Sequence, residues 1–152
     1  MSAAPFHLRP YRPADEDAAI ALWQRAWQTA YPAVDFAHRL PWWRKRWRDE
    51  LVPRATIILA EQDAVLVGFV TVDTAGYLDQ LVVAPEHWGT GAAAHLMAAA
   101  KRLSPCGLDL QVNQDNLRAV RFYEKHGFAV AGADANPLSG RPTWRMQWRP
   151  EA

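Results

Sequence analysis

The segment Tyr77–Leu103, YLDQLVVAPEHWGTGAAAHLMAAAKRL, decides the fold. Tyr77 to Val83 is a strand-like run that stops at Pro85. A turn of small residues follows, from Trp88 through Gly89, Thr90, Gly91 and Ala92 to Ala93. Leu96, Ala99, Ala100 and Leu103 then fall at i, i+3, i+4 and i+7, the spacing of one helical face. A helix start exposes backbone N–H groups that have no intrahelical acceptor, and the helix dipole adds positive potential there. Gly89, Gly91, Ala92, Ala93 and Ala94 carry little or no side chain, so an anion can reach that backbone. The motif is not a P-loop, because no Gly-Lys-Ser/Thr follows. It is not a dinucleotide fingerprint, because the third glycine and a suitably placed acid are missing. A plain strand–turn–helix with small packing residues is the competing reading.

A second stretch, Leu110 to Phe128, reads LQVNQDNLRAVRFYEKHGF. Together the two segments resemble the GNAT N-acetyltransferases. In the first, the family's loop pattern is Arg or Gln, two residues, Gly, one residue, then Gly or Ala. Gly91 and Ala93 match it, while Trp88 stands where Arg or Gln is usual. In the second, Asn116, Ala119, Phe122, Tyr123 and Gly127-Phe128 match the family's fifth strand and following helix in order and spacing. The resemblance covers residues 65–130 well and the ends more loosely. It implies one N-acetyltransferase domain over 1–152, of mixed α/β (α+β) class. Six to seven strands in a central sheet would be flanked by about four helices.

Composition is compatible with this. A chain of 152 residues suits one domain, and half of its residues are hydrophobic. The formal net charge of +1 offers no global attraction for nucleic acid or anionic membrane. The single cysteine, Cys106, excludes an internal disulfide and reads as a small buried hydrophobe. There is no signal-like N-terminus, and no apolar run approaches the ~20 residues of a membrane span, so a cytoplasmic enzyme is expected. No His, Cys or acidic cluster has metal-ligand spacing. The unusual count is eight tryptophans.

In chain order, residues 6–11 read as an edge strand that tolerates Pro10. Asp15, Glu16 and Asp17 mark a helix start, and Ile20, Trp23, Trp27 and Ala30 share one face up to Pro32. In 35–52 a helix is expected to begin at Pro41, with Leu40, Trp43, Trp47 and Leu51 inward and Arg44, Lys45, Arg46 and Arg48 on a basic side. That side reads first as solvated and second as the rim of an acceptor site. Residues 56–60 and 65–72 read as a hairpin turning at Glu61–Asp63. Residues 108–112 form a strand parallel to 77–83, joined by a crossover helix. A helix from Asp115 ends at Gly127, residues 128–133 form a strand, and Trp144, Met146 and Trp148 alternate with polar residues in a last one.

The resemblance implies acetyl transfer from acetyl-CoA to a primary amine of a small molecule or peptide, by direct attack. The cosubstrate would lie along Leu81, Val82 and Val83, on Trp88, Gly89, Thr90, Gly91, Ala92, Ala93 and Ala94, and against Asn116, Ala119, Phe122 and Tyr123. A backbone N–H near Val82 would face the developing oxyanion. Tyr123 matches the tyrosine that serves as general acid to the CoA sulfur; its competing reading is a core tyrosine. Asn116 reads alternatively as a cap of its own helix. If Tyr77, Asp79, Leu81 and Val83 alternate onto one face, Asp79 is the candidate base, directly or through a water. Tyr31, Trp42, Tyr77 and Arg141 are the candidates for lining the acceptor pocket. An aromatic wall suits a small amine or a peptide-terminal amine better than nucleic acid. The expected partners are acetyl-CoA and an amine, with a monomer or homodimer and no metal. A CoA-binding sensor without turnover, or a transferase for another acyl-CoA, are the alternatives.

Overall fold

A computed structural model describes residues 5–150. Seven strands form two antiparallel sheets. The first has the order β1-β2-β3-β4, with β1 His7–Pro10, β2 Ala55–Gln62, β3 Val65–Asp73 and β4 Leu78–Val83. The second has the order β5-β7-β6, with β5 Leu108–Asn113, β6 Ala129–Ala135 and β7 Pro142–Trp148. The expected parallel pairing of β4 with β5 is reduced to one bridge, Tyr77 opposite Asp109, where the Asp109 N–H donates to Gly76. Beyond it the strands part, and the facing edges of both sheets stay open.

Four helices pack on these sheets: α1 Glu16–Ala30, α2 Phe36–Arg46, α3 Ala92–Leu103 and α4 Leu117–Lys125. α1 and α2 cover one face of the first sheet. Their Ile20, Trp23 and Trp43, with Trp47 just past the end of α2, pack with Ile57, Leu59, Phe69 and Val82. Trp23 stacks on Trp43 at 4.6 Å, and Trp47 meets Phe69 edge-on at 5.3 Å. Such aromatic pairs each add about 0.5–1.5 kcal/mol beyond the area they bury. α3 covers the opposite face, joining Leu96, Met97 and Ala100 to Val70, Val83, Leu110, Met146 and Tyr123.

Three expectations are corrected. α2 begins at Phe36, where Asp35 accepts from the His38 N–H, and runs straight through Pro41. The proline forfeits one bond to Ala37 on an exposed flank, which a helix anchored by Trp43 and Trp47 tolerates. The helix then widens into a π turn, Trp47–Leu51, before a last turn at Val52–Arg54. Cys106 is exposed, in the turn before β5. The hairpin turns on Asp63-Ala64, both with positive φ, as a two-residue connection between twisted strands requires.

The basic side of α2 is neutralised by acids from elsewhere. Arg44 and Arg48 both reach Glu16 on α1, Lys45 pairs with Asp49, and Arg46 pairs with Asp79 on β4. The Glu16 pairs hold α1 against α2, and the two guanidinium groups, Arg48 foremost, keep the Glu16 carboxyl below the usual carboxylate range.

Candidate active site

Where β4 leaves β5, a cleft of about 860 Å³ opens between the sheets. Its floor is the unpaired edge of β4. The Ala84 N–H donates to Val67, so Ala84 and, two residues back, Val82 turn their backbone groups toward β3. Leu81 and Val83 therefore face the open edge. Of the N–H groups near Val82, its own is in the ladder, and the outward ones are those of Leu81 and Val83. The Val83 carbonyl on that edge already accepts the Trp88 indole N–H at 2.9 Å.

A β-bulge alters the alternation along β4. Thr71 opposes Gln80 and Val72 opposes Leu78, which leaves Asp79 as the extra residue. Leu78 then shares a core with Val83, although one position number is even and the other odd. The expected single face carrying Tyr77, Asp79, Leu81 and Val83 is thus broken at Asp79. The bulge aims Asp79 toward α2, where both carboxylate oxygens accept from Arg46, at 2.8 and 2.5 Å. Gln80 Nε2 donates to the same carboxylate. Tyr77 stands beside it, and burial raises its phenol pKa, with the Asp79 charge adding to the effect.

One wall of the cleft is the turn before α3. Gly89 and Gly91 have φ of +79° and +94°, and a Cβ built on either meets nothing within 4 Å. Glycine is required there for backbone conformation, and the space beside the turn is open. The first bond of α3 runs from His95 to Gly91, so Ala92, Ala93 and Ala94 have N–H groups with no intrahelical acceptor. Above the turn, Tyr123 is buried with Phe122 and Phe128 around it. Its hydroxyl makes no hydrogen bond among the described residues. Desolvation pushes its pKa up to about 12, against a smaller lowering by Arg118. Asn116 accepts from the Ala119 N–H, capping α4, and also lines the cleft.

The opposite wall is aromatic. Trp27, Tyr31, Phe36, Trp42 and Trp43 line it. Trp42 is the most open of the large side chains there, at 45% exposure. Tyr31 donates to Asp115 at 2.8 Å and accepts from Asn113, and burial, then the Asp115 contact, pushes its pKa up to about 12. Arg141 also pairs with Asp115, at 3.1 Å, while lying over the Tyr31 ring.

A family model described as an acetyltransferase (GNAT) domain matches residues 35–148. This chain belongs to the GNAT family. A peptidyl-lysine N-acetyltransferase, YjaB of Salmonella typhimurium, is 30% identical over 90% of this chain and 92% of its own. A second peptidyl-lysine N-acetyltransferase, YiaC of Escherichia coli, is 28% identical over 86% and 88%. The crystal structure of the PaiA N-acetyltransferase of Thermoplasma acidophilum in complex with coenzyme A superposes with a TM-score of 0.77, at 19% identity over 96% of this chain and 99% of the other. The chain is accordingly an acetyl-CoA-dependent acetyltransferase of this family, with the mixed α+β fold expected. No group of His, Cys or acids among the described residues has a metal-binding arrangement, and no helix among them is long and apolar enough to cross a membrane.

Most residues expected at a GNAT site from sequence border the one cleft. Tyr31, Trp42, Tyr77, Asp79, Asn116, Tyr123 and Arg141 do, as do the β4 edge and Trp88, Gly89, Gly91, Ala93 and Ala94. Thr90 and Ala92 do not. The Thr90 hydroxyl turns back to the His87 carbonyl, and Ala92 is wholly buried under the helix start. Arg39, Gln111, Asn113 and Arg118, which the sequence did not single out, also line the cleft, as does Arg46 from the basic side read as a possible acceptor rim. A signal existed for Arg39. Arg39, Trp42, Trp43 and Arg46 fall at i, i+3, i+4 and i+7 and present one helical face to the cleft.

The glycine turn gives a direct test. Gly91→Asp places a carboxylate beside the free N–H groups, and acetyl-CoA affinity measured by calorimetry should fall by about tenfold or more. Gly91→Ala imposes the same φ strain without the charge, and should lose less. Equal affinities for parent and Gly91→Asp would remove this turn from the cosubstrate site.

Proposed function

We propose that the acceptor is a primary alkylamine on an apolar stem, and foremost a lysine side chain presented by a peptide. The observation that carries this is the aromatic wall of α1 and α2, which faces the open β4 edge across the same cleft. Aromatic rings accept an aliphatic stem by burial and a cation over their faces, the latter at about 0.5–2 kcal/mol. The names of the YjaB and YiaC relatives support a peptidyl lysine.

In this reading acetyl-CoA enters by the glycine turn. Its amide-rich arm pairs with Leu81 and Val83 as an added strand. The neutral amine nitrogen attacks the thioester carbonyl, an N–C bond replaces the C–S bond, and the amine proton leaves through a water to Asp79 and from there to solvent, which returns a proton to Tyr123 after the tyrosine has protonated the sulfur. A second proton goes to the leaving sulfur. Tyr123 is suited to supply that second proton. Its raised pKa keeps it a phenol, hence a donor, across the whole physiological range. Asp79 receives the amine proton through a water, because Arg46 occupies both of its oxygens. The same pair fixes the carboxylate beside Tyr77 and gives the amine a negative neighbour.

Tyr123→Phe should keep acetyl-CoA affinity within a few-fold and lower kcat by about 10²-fold. The parent should show no alkaline fall in rate traceable to this phenol below a pH of about 12. Unchanged kcat, with chemistry rate-limiting, would return Tyr123 to packing.

Asp79→Asn should lower kcat/KM by about 10²-fold if the carboxylate takes the amine proton. An unaltered kcat/KM would assign proton removal to water alone.

For the acceptor, lysine peptides, free amino acids, polyamines and aromatic amines should be compared by thiol release. Lysine peptides should give the highest kcat/KM, and Trp42→Ala should raise their KM several-fold. Preference for free amino acids, or indifference of every KM to Trp42→Ala, would overturn the reading.

A further inference from the structure

Arg118 is the one cleft-lining residue on α4 whose charge has an aromatic partner and no acidic one. Its guanidinium lies 3.8 Å from the centre of the Trp88 ring. Among the described residues no carboxylate or carbonyl accepts from it. The nearby acids are engaged elsewhere: Asp115 holds Tyr31 and Arg141, and Glu86 holds Arg25. The residue is exposed as a whole, yet partial burial desolvates its head enough to lower the guanidinium pKa. A cation that has lost part of its hydration and gained no counter-charge is arranged for an anionic ligand.

Trp88 fixes where that cation sits. Its indole N–H is tied to the Val83 carbonyl, at the end of the open β4 edge. One residue further on, the backbone enters the Gly89–Gly91 turn, which leads to the N–H groups of Ala92, Ala93 and Ala94 that have no intrahelical acceptor. The ring therefore carries the guanidinium across from α4 to the mouth of the anion turn, on the side where nothing fills the space beside Gly89 and Gly91. Lys125 also borders the cleft, at the far end of α4, but lacks such a platform.

We infer that Arg118, laid flat on Trp88, binds the phosphate groups of acetyl-CoA, completing with a side-chain cation the anion site that the α3 N-terminus begins. The inference rests on acetyl-CoA occupying this cleft. A guanidinium held flat offers paired N–H donors in the plane of the fork, which suits phosphate oxygens.

The test compares thioesters with and without phosphate. For Arg118→Gln, kcat/KM with acetyl-CoA should fall about tenfold and become less sensitive to added salt, while kcat/KM with S-acetylpantetheine, which has no phosphate, should match the parent. Acetyl-dephospho-CoA then locates the contact. A penalty that persists assigns Arg118 to the pyrophosphate, and one that disappears assigns it to the 3′-phosphate. In a Trp88→Leu background the Arg118→Gln penalty should shrink, because the platform is gone. An Arg118→Gln enzyme that uses acetyl-CoA as the parent does, or that loses equally with S-acetylpantetheine, overturns the inference. If the parent itself neither binds nor uses acetyl-CoA, the underlying assignment of the cleft fails, and this inference with it. That result is distinct, because it is seen before any variant is made.

Discussion

The whole site depends on a pairing that stops. β4 and β5 share one bridge, at Tyr77 and Asp109, and then separate. Backbone N–H and C=O groups at an unpaired edge must find partners, and a buried edge without them is costly. The separation therefore creates two things together: a space, and a row of directed donors and acceptors lining it. Leu81 and Val83 supply that row because the ladder parity set by Ala84 and Val67 turns them outward. A chain that closed the sheet completely would be more regular and would have no cleft. Trp88 satisfies one acceptor of the open edge, the Val83 carbonyl, and leaves the rest.

Charge in the cleft is sorted by whether it already has a partner. Asp79 with Arg46, and Asp115 with Arg141, are internal pairs that hold elements in place across the opening. The Asp79 pair is partly withdrawn from water and the Asp115 pair is exposed, and both act more through geometry than through net stability. The α3 N-terminus and Arg118 have no such partners. Both lie on the side of Trp88 and the glycine turn, so uncompensated positive potential collects at one end of the cleft, opposite the aromatic wall.

Much of this was legible in the sequence, for identifiable reasons. The glycine turn and the Asn116-to-Phe128 pattern depend on local constraints, φ sign and helix capping, that a single chain displays. The burial of Trp23, Trp43 and Trp47 followed from helical spacing. What was not legible depended on register and on partners. The bulge at Asp79 exists only relative to β3, and without it the parity of β4 is misread. Pro41 reads as a helix boundary because sequence cannot weigh one lost hydrogen bond against two tryptophans anchored in another element. Arg118 has no local signature either, since its significance comes from Trp88, thirty positions earlier and adjacent only in space.

The first sheet divides the apolar interior into two cores, one behind each face. The helices that wall the aromatic side of the cleft, α1 and α2, are rooted in one core, and the glycine turn, α3 and Tyr123 in the other. Substitutions on well-separated sites without shared partners combine nearly independently. The lineage leading to this chain could therefore retailor the surface that meets the acceptor by exchanging tryptophans in the first core, while the nucleotide-side scaffold in the second was left undisturbed. The tryptophans divide the same way: Trp23, Trp27, Trp43 and Trp47 belong to the first core, and Trp88, Trp144 and Trp148 pack against the second.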